Sequence, residues 1–519
     1  MPQYLSPGVY VEEVESGSKP IEGVGTAVAA FVGLAETGPV NHPTLITNWT
    51  QFTTVFGGFL EGSYLAHSVY GYFQNGGGAC YVVRIGGNGE VGKPTAKAEL
   101  TSGAKADLDA YRIRAIESGP AGDDLSVEVR DAKDEGDDDK GGGPPAFTII
   151  VKKGGKQVES FEDLTTDGRS KSYVLTAVNE QSEFIKIDEI GKGSLTELRP
   201  KTGTVKLSGG KEAAPTPRLD PDDYVGDAAN RTGFGGLEAV DEITMVCVPD
   251  VMAAYQQGAL DLEGVKTVQL GIIAHCELMG DRMAILDPPP GLNAQQIKEW
   301  RVDVAGYDSK FAALYWPWVK VFDPASGTNQ FVPPSGMMAG IWGRSDDTRG
   351  VHKAPANEVV RGVVDLELNI TKSEHDQLNP QGINCIRAFP GRGVRVWGAR
   401  TLSSDPSWRY INVRRLFNYL EKSILGGTQW VVFEPNDMDL WGRIRRTIGA
   451  FLTRTWRDGA LFGATPDEAF FVKCDAETNP ADVIDAGQVV CLIGVCPVKP
   501  AEFVVFKLSQ FSAGSAVEE

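Results

Sequence analysis

The chain is poor in the residues that most enzymes use for chemistry. Its 519 residues include only five histidines and seven cysteines. His42, His67, His275, His352 and His375 are scattered, and no HxxxH pair or His/Cys cluster sits at metal-ligand spacing. His275-Cys276-Glu277 is a local run whose side chains diverge on a helix. The cysteines Cys80, Cys247, Cys276, Cys385, Cys474, Cys491 and Cys496 are odd in number and mostly lie in apolar runs such as MVCVPD. That pattern reads as buried free thiols in a reducing compartment. Cys491 and Cys496 are an odd number of positions apart, so on a strand they face opposite ways, which disfavours a shared zinc or a bridge. Neither GxGxxG nor GxxxxGK[ST] occurs in a strand–loop–helix setting; NGGGA and TGFGGLE read as tight turns. No cofactor and no metal is expected.

Positive charge is also scarce. Fifty Lys and Arg stand against 69 Asp and Glu, for a net charge of -19. A chain of that balance is not a general nucleic-acid binder and has no reason to settle on an anionic membrane. No run approaches the roughly 20 apolar residues that a membrane-spanning helix needs, so no membrane insertion is expected. The opening MPQYLSPGVYVEEVESG has neither the basic nor the apolar region of a secretory signal, and the expected place of folding is the cytoplasm of the producing cell.

What the sequence does have is ordinary globular material, with 42% hydrophobic and 23% charged residues. Residues 1–22 read as an arm. Pro2, Pro7, Gly8, Gly17 and Pro20 punctuate it, and the extended run Val9–Val14 sets Val9 and Val11 on one face and Tyr10 and Val14 on the other. AVAAFVGL (27–34) and ACYVVRI (79–85) read as buried parallel strands. Between them, Leu65, Val69, Tyr72 and Phe73 recur at helical spacing. From about 91 to 230 the texture turns to short alternating segments such as YRIRAI, LSVEV and FTIIV, which predict a β-rich insertion. The run DAKDEGDDDKGGGPP reads as a solvated loop.

The α/β texture returns with EITMVCVPD, RMAILDPPP and FAALYWPWVKV as strands. Two amphipathic helices follow. One carries Val413, Leu416, Phe417, Leu420 and Ile424 on one face; the other carries Trp441, Ile444, Ile448, Phe451 and Leu452. AFFVKC, VVCLIGVC and EFVVFKL are strand candidates after them. Asp250 and Asp287 end strands, where open α/β sheets bind ligands. The sequence ties no base, nucleophile or oxyanion donor to them, and Asp beside Pro is ordinary turn chemistry. The expected fold class is mixed α/β. An α/β core is built from the N- and C-terminal parts of the chain (23–90 and 231–500, with a C-terminal subdomain from about 385). A β-rich domain is inserted at 91–230, and extended arms lie at 1–22 and 501–519.

These residues resemble one family, the tail sheath proteins of contractile phages and phage-tail-like injection systems. PGVYVEEV followed by FVGLAETGP is similar to that family's opening, and NGGGACYVVRI to its next block. The densest likeness runs from ALYWPWVKV through VPPSGMMAGIWGRSD, HKAPAN, LNPQGINCIR, GRGVRVWGARTL, YINVRRLFNYLEKSI and FLTRTWRDGALFG to IGVCPVKPAEFVVFKL. It covers residues 1–90 and about 240–510; the 91–230 insertion matches nothing nameable.

The resemblance implies a structural subunit, not an enzyme, that polymerises into a helical sheath of stacked, six-fold rings around an inner tube. It implies baseplate and terminal cap proteins as further partners, and release of the finished particle by lysis. It also implies that the terminal arms cross between subunits as strands. Here these would be Val9, Tyr10, Val11, Glu12 and Val14 at one end, and Phe503, Val504, Val505, Phe506 and Leu508 at the other. The arm from Tyr4 to Lys19 would extend about 50 Å, enough to reach a neighbour. Arg443, Arg445, Arg446, Arg454 and Arg457 concentrate positive charge on one helix of an acidic chain and are the candidate contact to an acidic inner tube. The helix at 409–424, with Arg414, Arg415 and Lys422, is the rival. The alternative reading, from fold class alone, is a ligand- or nucleotide-binding α/β enzyme of unknown reaction.

Overall fold

The computed structural model describes residues 20–86, 95–105, 108–116, 120–132, 146–191, 193–210 and 219–507. The arm residues Val9, Tyr10, Val11, Glu12 and Val14, together with Leu508 and most of the acidic run at 131–139, lie outside them. The chain divides into two compact units, one of Met1–Gly86 with Arg218–Glu519 and one of Gly87–Pro217.

The first unit opens on Val28–Gly33 (β1), which is almost wholly buried. Thr44–Ile46 (β2) follows, then helices Trp49–Phe56 (α1) and Leu65–Gln74 (α2), then Ala79–Arg84 (β3). Asn48 starts α1 by accepting a hydrogen bond from Gln51 N at 2.8 Å, the expected N-cap chemistry. Strand β3 lies parallel to β1, and β2 runs antiparallel on its far side.

Both sheets of the second unit are antiparallel. Lys97–Thr101 (β4), Asp109–Ala115 (β5) and Ile185–Glu189 (β9) form one sheet. Leu125–Asp131 (β6), Phe147–Lys153 (β7), Lys156–Leu164 (β8) and Gly203–Lys206 (β10) form the other. Alternate residues such as Tyr111, Ile113, Val127 and Ile149 turn inward and meet Val174 and Val178 of the helix Val174–Gln181 (α3).

The first unit resumes with Met245–Cys247 (β11), helices Asp250–Gln256 (α4) and Leu262–Met279 (α5), Met283–Leu286 (β12) and Ala312–Trp316 (β13). The run 311–321, expected as one strand, is two. Pro317 supplies no N–H to a ladder, so β13 stops at Trp316. Val319–Asp323 (β14) then joins a separate sheet with Thr328–Val332 (β15) and Val363–Leu366 (β16). Helix Ser335–Arg349 (α6) lies between β15 and β16 in sequence. Ile383–Phe389 (β17) and Gly393–Val396 (β18) finish the main sheet, whose order is β18-β17-β13-β12-β11-β1-β3-β2. Its six central strands are parallel, and five of them, β17 aside, read as apolar runs because they are largely buried on both faces. Helix α6 packs against α2 so closely that a Cβ on Gly336 would fall 2.3 Å from Ser68 O.

Helices Ile411–Gly427 (α7) and Met438–Arg457 (α8) share a core of Leu416, Leu420, Ile444, Ile448, Phe451 and Leu452. Phe470–Lys473 (β19) and Leu492–Val495 (β20) form a two-stranded antiparallel sheet against that core. The two halves of the unit are joined by a buried charge pair. Arg415 on α7 donates to both oxygens of Asp346 on α6, at 2.8 and 2.6 Å, and to Thr26 O at 2.8 Å. Both side chains are under 5% exposed, and the guanidinium lies 4.9 Å from the Trp342 ring centroid. Such a pair costs desolvation and repays it by bidentate geometry, so breaking one side is worse than removing both. Arg415→Met should lower stability by about 3–5 kcal/mol. Arg415→Met combined with Asp346→Leu should recover much of that in denaturant unfolding. An additive double variant would show that the pair is not coupled.

Candidate functional site

In an open parallel sheet, ligands bind where the winding direction reverses, outside the carboxyl ends of the strands. Here that point lies between β1 and β11, and Asp250, just after β11, fills it. Its carboxylate accepts from Leu34 N at 2.6 Å, from the Ser63 hydroxyl at 2.8 Å and from Tyr64 N at 2.5 Å. It thus ties the end of β1 to the start of α2. The fit is tight: a Cβ on Gly33 would stand 2.5 Å from the Asp250 carboxylate. Asp287, after β12, accepts from Ser335 N at 2.9 Å and faces the positive end of α6. Both acids are nearly inaccessible. They are struts between strand ends and helix starts.

Burial raises both acids against these donors, Asp250 to about 6 and Asp287 to about 7. An unfolded carboxyl titrates near about 4. The folded protein therefore holds the Asp287 proton more tightly, and stability falls as pH rises between about 4 and 7. Asp287→Asn should flatten that slope: the gap in Tm between pH 5 and pH 8 should shrink, with the variant gaining relative to the parent at pH 8. An unchanged gap in a pH series of thermal melts would remove Asp287 as its source.

The two basic helices differ. On α7, Arg414 and Arg415 are buried. Arg414 donates to Asn418 at 2.7 Å and Glu421 at 3.0 Å, Arg415 is held as above, and Lys422 pairs with Asp281 at 2.5 Å. Its charge is spent within the subunit, so it presents little to a partner. On α8, Arg443 pairs with Glu434 at 2.9 Å and lies 5.2 Å from the Trp430 ring centroid. Arg445, Arg446, Arg454 and Arg457 are exposed and make no ion pair among the described residues. At 100° per residue, Arg446, Arg454 and Arg457 fall on one stripe with Arg443, while Arg445 lies toward the edge of the buried face.

The carboxyl-terminal segment leaves the core at Glu502. Its carboxylate takes Arg400 Nε and Nη2 at 2.8 and 2.7 Å, Asn379 Nδ2 at 2.7 Å and the Tyr410 hydroxyl at 2.9 Å. Burial opposes the charge, but these donors outweigh it and hold Glu502 below the usual carboxylate range. Immediately beyond, Phe503, Val504, Val505 and Phe506 are 73, 67, 76 and 85% exposed. EFVVFKL was expected as a strand, yet 503–507 adopt none and make no backbone hydrogen bond among the described residues. On an extended backbone Phe503 and Val505 would share one face and Val504 and Phe506 the other, so both faces are apolar. The sheet of β19 and β20 is likewise open, with Phe471, Leu492 and Ile493 exposed.

Sequence reading missed two features. Glu502 was an unremarkable acid until Arg400, over a hundred positions earlier, was seen to grip it. Phe433, in the loop between α7 and α8, is fully exposed on a left-handed backbone with φ 67°, a costly setting for a bulky residue. No sequence signal marked it.

Comparison with known proteins identifies the family of the chain. The family model for the phage tail sheath protein central domain matches residues 229–402, and that for the phage tail sheath C-terminal domain matches 403–511, together more than half the chain. The tail sheath protein of Burkholderia phage BcepMu is 25% identical over 511 residues, covering 93% of this chain and 92% of the relative. The tail sheath protein of Vibrio phage KVP40 is 26% identical over 386 residues, covering 69% of this chain and 54% of the relative, so the chain spans about half that relative's length. Among solved structures, the anti-feeding prophage helical sheath in its contracted state matches with a TM-score of 0.57 at 25% identity, over 97% of this chain and 99% of that one. With these matches on both halves of the main unit, and a structural likeness over nearly its whole length, the chain belongs to the phage tail sheath protein family, the structural sheath subunits of contractile tails and injection systems.

Proposed function

We propose that this chain polymerises into a helical sheath around an inner tube, held by strands that cross between subunits, and that contraction of this sheath drives the tube through a target envelope. The observation that carries the linkage is the segment Phe503–Phe506, apolar on both faces and exposed immediately after the Glu502 anchor. Left in solvent, such a segment is an aggregation hazard; added to the open sheet of β19 and β20 on a neighbour, with Leu508, it gains main-chain hydrogen bonds and covered side chains. The amino-terminal run Val9, Tyr10, Val11, Glu12 and Val14 would pair in the same way. Head-to-tail contacts that do not close on themselves build a tube of stacked rings, with baseplate and cap proteins ending it. Contraction is a rigid-body repacking of subunits. A bias of a few kcal/mol per subunit, on the scale of ordinary two-state conformational equilibria, sums over many copies. Arg446, Arg454 and Arg457, with Arg443 and Arg445 beside them, face an acidic tube through exposed, salt-sensitive attraction.

This reading assigns no catalytic role to the chain. The alternative, an α/β ligand- or nucleotide-binding enzyme, came from fold class alone, and the strand-end acids Asp250 and Asp287, where a ligand would be sought, are spent on packing. The proposed particle is produced in the cytoplasm and released by lysis.

Deletion of 503–519 should leave a folded subunit, with Tm within a few degrees of the parent, that no longer forms striated tubes in negative-stain electron microscopy. Tubes of normal length from the deletion would defeat the linkage. For the tube contact, Arg446→Glu, Arg454→Glu and Arg457→Glu together should leave sheath formation intact but abolish co-purification with the inner tube at low salt. Undiminished co-purification would exclude this stripe.

A further inference from the structure

The ladder of β19 and β20 pairs Phe470 with Val495, Phe471 with Gly494, Val472 with Ile493 and Lys473 with Leu492. Continued by one step past the ends of both strands, this register sets Cys474 opposite Cys491. Directly opposed residues in an antiparallel pair have Cα atoms about 4.5–5.5 Å apart. That lies inside the roughly 4.4–6.8 Å window of disulfides. Just past the ends of the two strands, Asn479 ties the intervening loop to Val490. Its side chain accepts from Val490 N at 2.6 Å, donates to Val490 O at 3.0 Å and approaches Cys474 Sγ at 3.8 Å. Cys474 is buried in the core beneath α8 and Cys491 packs beside it, partly open to solvent.

We propose that Cys474 and Cys491 are a cross-strand dithiol that closes to a disulfide in the folded protein when it meets a small disulfide oxidant of the glutathione type. The Cys491 thiolate attacks the oxidant's S–S bond, forming a mixed disulfide and releasing one thiol. The Cys474 thiolate then attacks Cys491 Sγ, forming the protein bridge and releasing the second thiol. Two protein thiols are oxidised, one small disulfide is reduced to two thiols, and two protons pass from the cysteines to the leaving thiolates. Cys491 acts first because it is the accessible partner. Cys496, an exposed thiol, cannot substitute, since its backbone N–H donates to Ala469 O at the other end of the ladder.

Burial keeps both thiols protonated at neutral pH, with Cys491 raised to about 12, against the opposing pull of the Arg445 guanidinium; Asp475 adds to the rise at Cys474. Protonation lowers the thiolate fraction, so the pair closes slowly at neutral pH. The bridge would tie off the 475–490 loop and fix the hairpin's outer end. The proposal concerns this chain's own hairpin and stands whether or not the assembly reading does.

The test uses the full-length protein, folded, incubated with oxidised glutathione, alkylated without reduction, digested and analysed by mass spectrometry. The expected product is a peptide pair joined through Cys474 and Cys491, lighter by two hydrogens than the free pair. It should be absent in Cys491→Ser, in which Cys474 should remain a free thiol. A persistent glutathione adduct on Cys491, or modification confined to Cys496, with Cys474 still alkylated once the protein is denatured, would overturn the proposal. Because Cys491 is only partly buried, the Cys491→Ser control should fold, and its melting curve would verify that.

Discussion

A backbone segment with no hydrogen-bond partner and apolar side chains on both faces cannot be an end state in water. Among the described residues Phe503–Phe506 is such a segment, and much of the carboxyl-terminal architecture makes sense as its support. Arg400, Asn379 and Tyr410 converge on Glu502 to fix where the chain leaves the core. The two-stranded sheet of β19 and β20 sits on α8 with open edges and its own exposed Phe471 and Leu492. Donor and acceptor are both incomplete alone. In the proposed polymer a neighbour would meet each deficiency, and the free energy of strand pairing would appear as cohesion between subunits rather than as stability of one subunit.

The same logic explains how an α/β sheet of a type often found in enzymes is put to a structural use. Its switch point is filled by Asp250 and its neighbouring strand end by Asp287, each joining a strand to a helix start. A sheet stiffened in that way, and locked to the carboxyl-terminal helices through Arg415 and Asp346, can move as a rigid body. Rigid bodies with two stable packings are what a contraction needs. An adaptable cleft would work against it.

Much of this was legible in the sequence, for identifiable reasons. The parallel strands announced themselves as apolar runs because both sheet faces are covered. The inward face of α8 was readable because Trp441, Ile444, Ile448, Phe451 and Leu452 repeat at helical spacing and are buried together. Local pattern failed where a distant partner decides the outcome. Arg414 and Arg415 looked like surface charge on α7, yet they are buried because Glu421, Asp346 and Trp342 receive them. The run 311–321 looked continuous until Pro317 divided it. The pairing of Cys474 with Cys491 depends on a strand register that spacing alone does not give. The family resemblance reached further than any of these patterns, because it drew on the order of many motifs at once.

The central claim is that subunits are linked by exchanged strands. The most direct measurement is a helical cryo-electron-microscopy reconstruction of the assembled protein, at a resolution that traces the backbone of 503–508. The account predicts that this segment leaves its own subunit after Glu502 and hydrogen-bonds as a strand to the β19–β20 sheet of a neighbour. A segment folded back onto its own chain, with neighbours touching only through side chains, would contradict it.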